Sequence, residues 1–147
     1  MVSDRLRKGV LIVDDNDADI ELLRQLFAAK EPDADVRPAM NEEEFLNFIR
    51  LKDGQLSVPD IDIVIVDFNM PRDEGIAVLK RLKSDPSLRK IPVIVFSGSE
   101  SKGSIRKAYE LGANSYLVKP VAFDELSNIV DLIIRFWLHI ACLPSQK

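Results

Sequence analysis

The sequence predicts a single-domain α/β fold with a doubly wound parallel sheet, and two observations support this prediction. First, short apolar segments rich in Ile and Val alternate five times with segments whose apolar residues recur at helical spacing. Second, residues 9–13, 63–66 and 91–96 are apolar along their length, which is typical of strands covered on both faces. Right-handed crossovers between parallel strands place helices on both faces of such a sheet.

Capping signals mark the helices in the first half of the chain. Asn16 or Asp17 is placed to cap the first helix, which carries acidic residues in its first turn. Asn41 and Glu44 have the spacing of a capping box, which predicts the start of the second helix. The five predicted strands cover residues 9–13, 34–38, 61–66, 91–96 and 115–118.

Turn and capping residues also bound the helices of the second half. A turn at residues 72–75 follows the central strand and leads into the third helix. Residues 101–111 form the fourth helix, and Gly112 is placed as its left-handed C-cap. The last helix is expected to begin near Asp124, a good N-cap, and to extend to about residue 143. We therefore expect one domain over residues 1–147 with an extended apolar C-terminal helix.

Composition excludes several functional classes. A net charge of −4 does not suggest a nucleic-acid-binding surface. The single cysteine, Cys142, leaves no disulfide framework and no cysteine-based zinc site, which fits a reducing cytoplasm. The N-terminus lacks the apolar stretch of a signal peptide, and the longest apolar region, residues 132–143, is too short to span a bilayer. We therefore expect a cytoplasmic protein that binds neither membranes nor nucleic acids.

Polar residues converge where the predicted strands end. Asp14 and Asp15 follow the first strand, Asp67 the third, Ser97 the fourth and Lys119 the fifth. Parallel strands bring their carboxyl ends to one edge of a sheet, which is where ligands bind in open α/β sheets. Carboxylates about 4 Å apart repel by about 4 kcal/mol per pair at an effective dielectric near 20, so the cluster requires a cation.

Oxygen ligands and a neighbouring lysine indicate phosphoryl chemistry. Mg²⁺ prefers carboxylates together with water and phosphate oxygens. A carboxylate, a Mg²⁺ ion, a hydroxyl group and a lysine are the parts needed to hold a phosphoryl group. Asp67 is then placed to act as a nucleophile that forms an aspartyl phosphate.

With these residues in view, the sequence resembles a response-regulator receiver domain of two-component signalling. The resemblance covers about residues 8–131 and implies a flavodoxin-like fold with strand order 2-1-3-4-5. It also implies a phosphoacceptor module that catalyses at most its own phosphorylation and dephosphorylation. The motifs that carry it are Asp14-Asp15, Asp67 with Met70-Pro71, Ser97-Gly98, and Tyr116 before Lys119-Pro120.

The resemblance implies a role for each site residue. Asp67 is implied to be the phosphoacceptor, which a partner histidine kinase phosphorylates. The implied Mg²⁺ ligands are Asp67, Asp15 directly, Asp14 mainly through water, and the backbone carbonyl of Asn69.

Further residues are implied to contact the phosphoryl group or to respond to it. Ser97 is implied to hydrogen-bond the phosphoryl group and to move with it, while Lys119 pairs with a phosphoryl oxygen. The peptide bond before Pro120 is implied to be cis. Tyr116 is implied to be an aromatic switch that swings inward as Ser97 moves.

Two departures narrow the resemblance. Glu74-Gly75 stands where the family usually has Asp-Gly, and the spacing from Asp15 to Asp67 is longer than usual, with the extra residues around 55–60. The longer spacing, together with Phe136-Trp137-Leu138 and Leu143-Pro144 near the C-terminus, resembles the single-domain regulators that partner phytochrome-type histidine kinases. This narrower resemblance implies a light-sensing partner kinase.

The last helix is apolar nearly all round, which indicates burial on more than one side. Its second apolar side is expected to pack either against a neighbouring helix of the same chain or against a partner. One side of this helix is expected to face the sheet, through Leu126, Ile129, Val130, Ile133, Trp137 and Ile140. The helix has further apolar residues outside this stripe. In receivers the fourth helix, fifth strand and fifth helix form the usual signalling face, which favours a homodimer. The residues expected at this dimer or partner surface are Ile134, Phe136, Trp137, Leu138 and Leu143.

Two alternatives come from other functional classes. A haloacid-dehalogenase-type phosphatase also uses an aspartate at a strand end, Mg²⁺, a hydroxyl residue and a lysine. It needs a second acid two residues after the nucleophile, where this chain has Asn69. The other alternative is a receiver fold that acts as a docking module independently of phosphorylation.

Overall fold

A computed structural model describes residues 8–49, 51–52, 55–56 and 61–144 of the chain. Its main sheet has five parallel strands in the order β2-β1-β3-β4-β5, which confirms the predicted doubly wound topology. The change of direction falls between β1 and β3, where ligands bind in such sheets. The strands are β1 (Gly9–Val13), β2 (Asp35–Ala39), β3 (Ile63–Val66), β4 (Val93–Ser97) and β5 (Ser115–Val118).

Helices follow the strands as the sequence pattern predicts. The second helix ends at Phe48, and Leu51–Lys52 then pairs with Gln55–Leu56 as a small antiparallel hairpin. The rest of the loop predicted at 55–60 lies outside the described residues. The helices are α1 (Asp17–Lys30), α2 (Glu42–Phe48), α3 (Glu74–Ser84), α4 (Lys102–Glu110) and α5 (Phe123–Ile133), with a 3₁₀ turn at Pro71–Asp73 and a π-helical segment at Ile134–Ile140.

Asparagine side chains cap the first two helices, and a glycine ends the fourth. Asn16 accepts a hydrogen bond from the backbone N–H of Asp19 at 3.0 Å, and Asn41 caps α2 in the same way. Gly112 has φ 102°, so it ends α4 in the left-handed conformation that was predicted. The last helix differs, because it begins at Phe123 after Ala122, which makes no side-chain cap.

Alternate residues of each central strand point to two separate apolar layers. On one face Leu11, Val64 and Val95 belong to the cluster that includes residues of α2 and α3. On the other face, Val10 and Ile65 pack in the cluster that includes α1 and α5. Both faces of the central strands are therefore covered, and the carboxyl ends of the strands lie at one edge of the sheet.

The C-terminal segment corrects part of the predicted partner surface. Ile134 and Leu138 are buried, at 3% and 5% exposure, so they belong to the core and their assignment to a partner surface was wrong. The chain switches from α- to π-helical turns at Ile134, and the wider turn changes which residues face inward. Phe136 remains half exposed, and Ile140, which was expected to face the sheet, is exposed.

Within the part of the chain that the structure describes, no helix is both long enough and apolar enough to cross a bilayer.

Candidate functional site

Neighbouring strands present their terminal residues at the same edge of the sheet. Asp14 follows β1, Asp67 follows β3, Ser97 ends β4 and Lys119 follows β5. Backbone hydrogen bonds continue the strand pairing to these positions, from Asp67 N to Val13 O at 2.9 Å and from Lys119 N to Ser97 O at 2.8 Å. The sheet itself therefore holds the residues that the sequence places at its rim.

The ammonium group of Lys119 lies at the centre of the site. Its Nζ donates to Asp14 Oδ2 at 2.8 Å, to Asp67 Oδ2 at 2.9 Å and to Asp19 Oδ2 at 2.9 Å. An ammonium group has three N–H donors, so these three carboxylates occupy all of them. Sequence reasoning assigned Asp19 only to the first turn of a helix. The sequence feature that could have revealed this contact is that the first helix begins at the same edge of the sheet as the site.

Burial and oppositely charged neighbours act in opposite directions on the pKa of Asp14 and on that of Lys119. Burial raises the pKa of Asp14, although the hydrogen bond and charge of Lys119 oppose that shift. Burial acts to lower the pKa of Lys119, but hydrogen bonds to Asp14 and Asp67 outweigh it and hold that pKa well above its ordinary value. Lys119 therefore stays protonated and supplies the positive charge that the buried carboxylates need.

Asp15 completes a cluster of three acids. Each of Asp14, Asp15 and Asp67 offers a carboxylate oxygen, and these oxygens all lie within 4.8 Å of one another. Asp15 is exposed, whereas the other two are buried. Convergent carboxylate oxygens suit a hard divalent cation. Asn69 lies beside them, with its backbone N–H donating to Asp67 Oδ1 at 2.8 Å.

A tight turn holds the backbone of Asp67. A Cβ atom on Gly75 would collide with the carbonyl oxygen of Asp67, so only glycine fits at the start of α3. Arg72 and Asp73 in the turn adopt positive φ angles of 57° and 53°. Glu74 Oε1 accepts a hydrogen bond from the backbone N–H of Glu42 at 2.9 Å, so this carboxylate ties the turn to the first residue of α2.

Ser97 and Tyr116 lie on adjacent strands. Ser97 is fully buried. Tyr116 is also buried, and its hydroxyl donates to the carbonyl of Ser99 at 2.7 Å.

The peptide bond before Pro120 is trans, because the described residues contain no cis peptide bond. The expectation of a cis bond was therefore wrong. Lys119 reaches all three carboxylates with this trans bond, which is the intrinsically favoured isomer.

A family model for the response regulator receiver domain matches residues 10–131 of the chain. The chain belongs to this family. As a receiver domain, it is a signalling module of two-component systems. This confirms the resemblance that the rim residues suggested.

Several relatives of this receiver domain span nearly its whole length. Response regulator Rcp1 of Synechocystis sp. is 28% identical over 138 residues, which cover 94% of each chain. Its Mn²⁺-bound structure matches with a TM-score of 0.82. The structure of the phosphorylated cyanobacterial phytochrome response regulator RcpA matches with a TM-score of 0.85 and 34% identity, covering 95% of this chain and 99% of that one.

Another solved structure comes from a red-light pathway. Response regulator RPA3017, in red light signalling of R. palustris, matches with a TM-score of 0.81 and 35% identity over 94% of this chain and 99% of that one. This receiver domain thus has phytochrome-associated homologues. Together with the acid cluster, the Mn²⁺-bound relative indicates divalent metal binding.

Replacing Gly75 by alanine should destabilise the receiver domain by about 3 kcal/mol, because the new methyl group must displace the backbone of Asp67. Urea unfolding of the purified protein measures this change. Gly103→Ala is the matched control. That glycine lies in α4, where an added Cβ atom would meet no other part of the chain within 4 Å, so alanine should stabilise by up to about 1 kcal/mol. Equal stability of Gly75→Ala and the wild type would contradict the packing argument.

Proposed function

We propose that this receiver domain accepts a phosphoryl group from a partner histidine kinase onto Asp67 in a Mg²⁺-dependent step. The observation that carries the proposal is the Asp67 carboxylate, which is only 8% exposed and lies 2.9 Å from the Lys119 ammonium. Asp14 and Asp15 flank it. The chain acts as a phosphoacceptor and catalyses at most its own phosphorylation and dephosphorylation.

In the transfer step an oxygen of Asp67 attacks the phosphorus atom of a phosphohistidine. The new P–O bond forms as the P–N bond breaks, and the histidine nitrogen leaves with the electron pair. Lys119 neutralises charge on a phosphoryl oxygen, and the Ser97 hydroxyl donates a hydrogen bond to another. Both side chains are supplied by strands that hydrogen-bond to each other at this position, since Lys119 N donates to Ser97 O.

We assign the metal-holding role to Asp15, Asp14, Asp67 and the backbone carbonyl of Asn69. Asp15 would be the direct ligand, and Asp14 would act mainly through water. When bound, Mg²⁺ supplies positive charge that relieves repulsion among the carboxylates and the incoming phosphoryl group. The convergent oxygens of Asp14, Asp15 and Asp67 support this assignment.

Tyr116 is assigned as the aromatic switch, the side chain whose position changes when Asp67 is phosphorylated. Its hydroxyl bonds to the carbonyl of Ser99, two residues past Ser97, so movement of the Ser97 loop alters the environment of the ring. Phosphorylation would shift a population between two arrangements of Ser97, Tyr116 and the last helix. A cytoplasmic location suits this chemistry and the free cysteine Cys142.

Incubation with acetyl phosphate and Mg²⁺ should add one phosphoryl group to the protein, as measured by intact mass. Asp67→Asn removes the nucleophile and should abolish the adduct, and EDTA should do the same by removing the metal. Asp17→Asn is the control, since it removes an exposed acid from the same edge without touching Lys119. If neither acetyl phosphate nor beryllofluoride binds the wild type, the protein is instead a docking module that works without phosphorylation.

The partner kinase is proposed to be of the phytochrome type. Support comes from RcpA, which is described as a phytochrome response regulator and matches 95% of this chain. An autophosphorylated phytochrome-type kinase should transfer its phosphoryl group to this protein about tenfold faster than an unrelated histidine kinase, a barrier difference of about 1.4 kcal/mol. Rapid-quench kinetics of the two transfers provide the comparison, and equal rates would contradict the assignment.

A homodimer is proposed to form through the apolar groove between β5 and α5. This groove is lined by Leu117, Ile129, Leu132, Phe136 and Trp137. Leu132 and Phe136 are 60% and 52% exposed, although both are large apolar residues. Burial of such a patch against a second copy removes apolar surface from water on both chains.

Light scattering at micromolar concentration should give the mass of a dimer for the wild type. Phe136→Glu places a charge in the groove and should raise the dissociation constant about tenfold, which corresponds to about 1.4 kcal/mol. Phe123→Glu is the matched control, because Phe123 is 55% exposed and lies outside the groove. A strictly monomeric wild type, with and without beryllofluoride, would rule out the homodimer.

A further inference from the structure

Asp19 differs from the other two carboxylates that bind Lys119. It lies in the first turn of α1 and, unlike Asp14 and Asp67, does not belong to the acid cluster suited to a cation. Its side chain is 43% exposed, whereas those of Asp14 and Asp67 are 2% and 8% exposed. Water can therefore replace the lysine as the hydrogen-bond partner of Asp19, which makes this contact the least costly of the three to break.

The donors of Lys119 are fully used before any phosphoryl group arrives. Each of its three N–H groups has a carboxylate within 2.9 Å of the Nζ atom. A phosphoryl group on Asp67 brings new anionic oxygens beside the same ammonium. Lys119 can donate to one of them only if an existing acceptor withdraws. Asp67 stays beside the ammonium as part of the acyl phosphate, and Asp14 is buried. The solvated Asp19 is therefore the acceptor that costs least to release.

We propose that Asp19 competes with the phosphoryl group for Lys119 and releases the lysine when Asp67 is phosphorylated. The inference rests on the proposed function, because it concerns the same lysine and the same phosphoryl group. Asp19 is a positioning residue. In the unphosphorylated protein it holds the Nζ atom, and its negative charge repels the incoming anion. It thereby limits how tightly the site retains a phosphoryl-like ligand.

Titration of the full chain with beryllofluoride at saturating Mg²⁺, followed by ¹⁹F NMR, measures this competition directly. Asp19→Asn removes the competing charge and should lower the beryllofluoride dissociation constant about two- to fivefold, the range of a partly exposed ion pair. Asp17→Asn is the matched control. It removes the same charge from the same turn of α1, but Asp17 is not among the three acceptors of Lys119, so its dissociation constant should equal that of the wild type.

Asp19→Glu separates competition from a merely structural role. Glutamate restores the carboxylate with one extra methylene group, so it should return the dissociation constant toward the wild-type value. A structural defect at this position would instead leave the glutamate variant like the asparagine one. Unchanged or weaker binding in Asp19→Asn would overturn the inference while leaving the proposed function intact. A wild type that binds no beryllofluoride would contradict the proposed function, on which the inference rests.

Discussion

The contact of Lys119 with three carboxylates is the interaction on which the rest of this site depends. Carboxylates about 4 Å apart repel by about 4 kcal/mol per pair at an effective dielectric near 20, and burial raises that cost. Asp14 and Asp67 are both buried, so the folded chain needs a resident cation beside them. Lys119 provides it through hydrogen bonds of 2.8 and 2.9 Å. A lysine attached to the last strand thus makes an acid cluster at the first and third strands tolerable.

The backbone of Asp67 is positioned by close packing as well as by strand pairing. Gly75 lets α3 approach the carbonyl of Asp67 more closely than any side chain allows. Two left-handed residues, Arg72 and Asp73, bring the chain into that approach. The carboxylate of Glu74 then binds the backbone N–H of Glu42. The family usually has aspartate where this chain has Glu74. The longer glutamate side chain ties the turn to α2 through this hydrogen bond.

Much of the site could be predicted because parallel strands bring their ends together. Periodicity located the strands, and the residues that follow them were read directly from the sequence. Asp19 escaped notice because it lies inside α1 rather than at the end of a strand, so the strand topology alone does not bring it to Lys119. Ile134 and Leu138 were misplaced for a different reason. The pattern was read at the α-helical repeat, while the chain widens into π-helical turns there.

Strand β5 joins the proposed site to the proposed interface. Lys119 follows its last residue, Tyr116 lies within it, and Leu117 lines the groove beside α5. A ligand shifts a conformational equilibrium only by contacting the two states differently. Lys119 is a contact of that kind, because a phosphoryl oxygen would replace one of its carboxylate partners. A displacement of Lys119 would act directly on β5. At the free edge of this strand, the backbone N–H of Tyr116 donates to the hydroxyl of the exposed Tyr109 at 3.1 Å. A single strand, β5, therefore connects the proposed phosphorylation site to the proposed dimer groove.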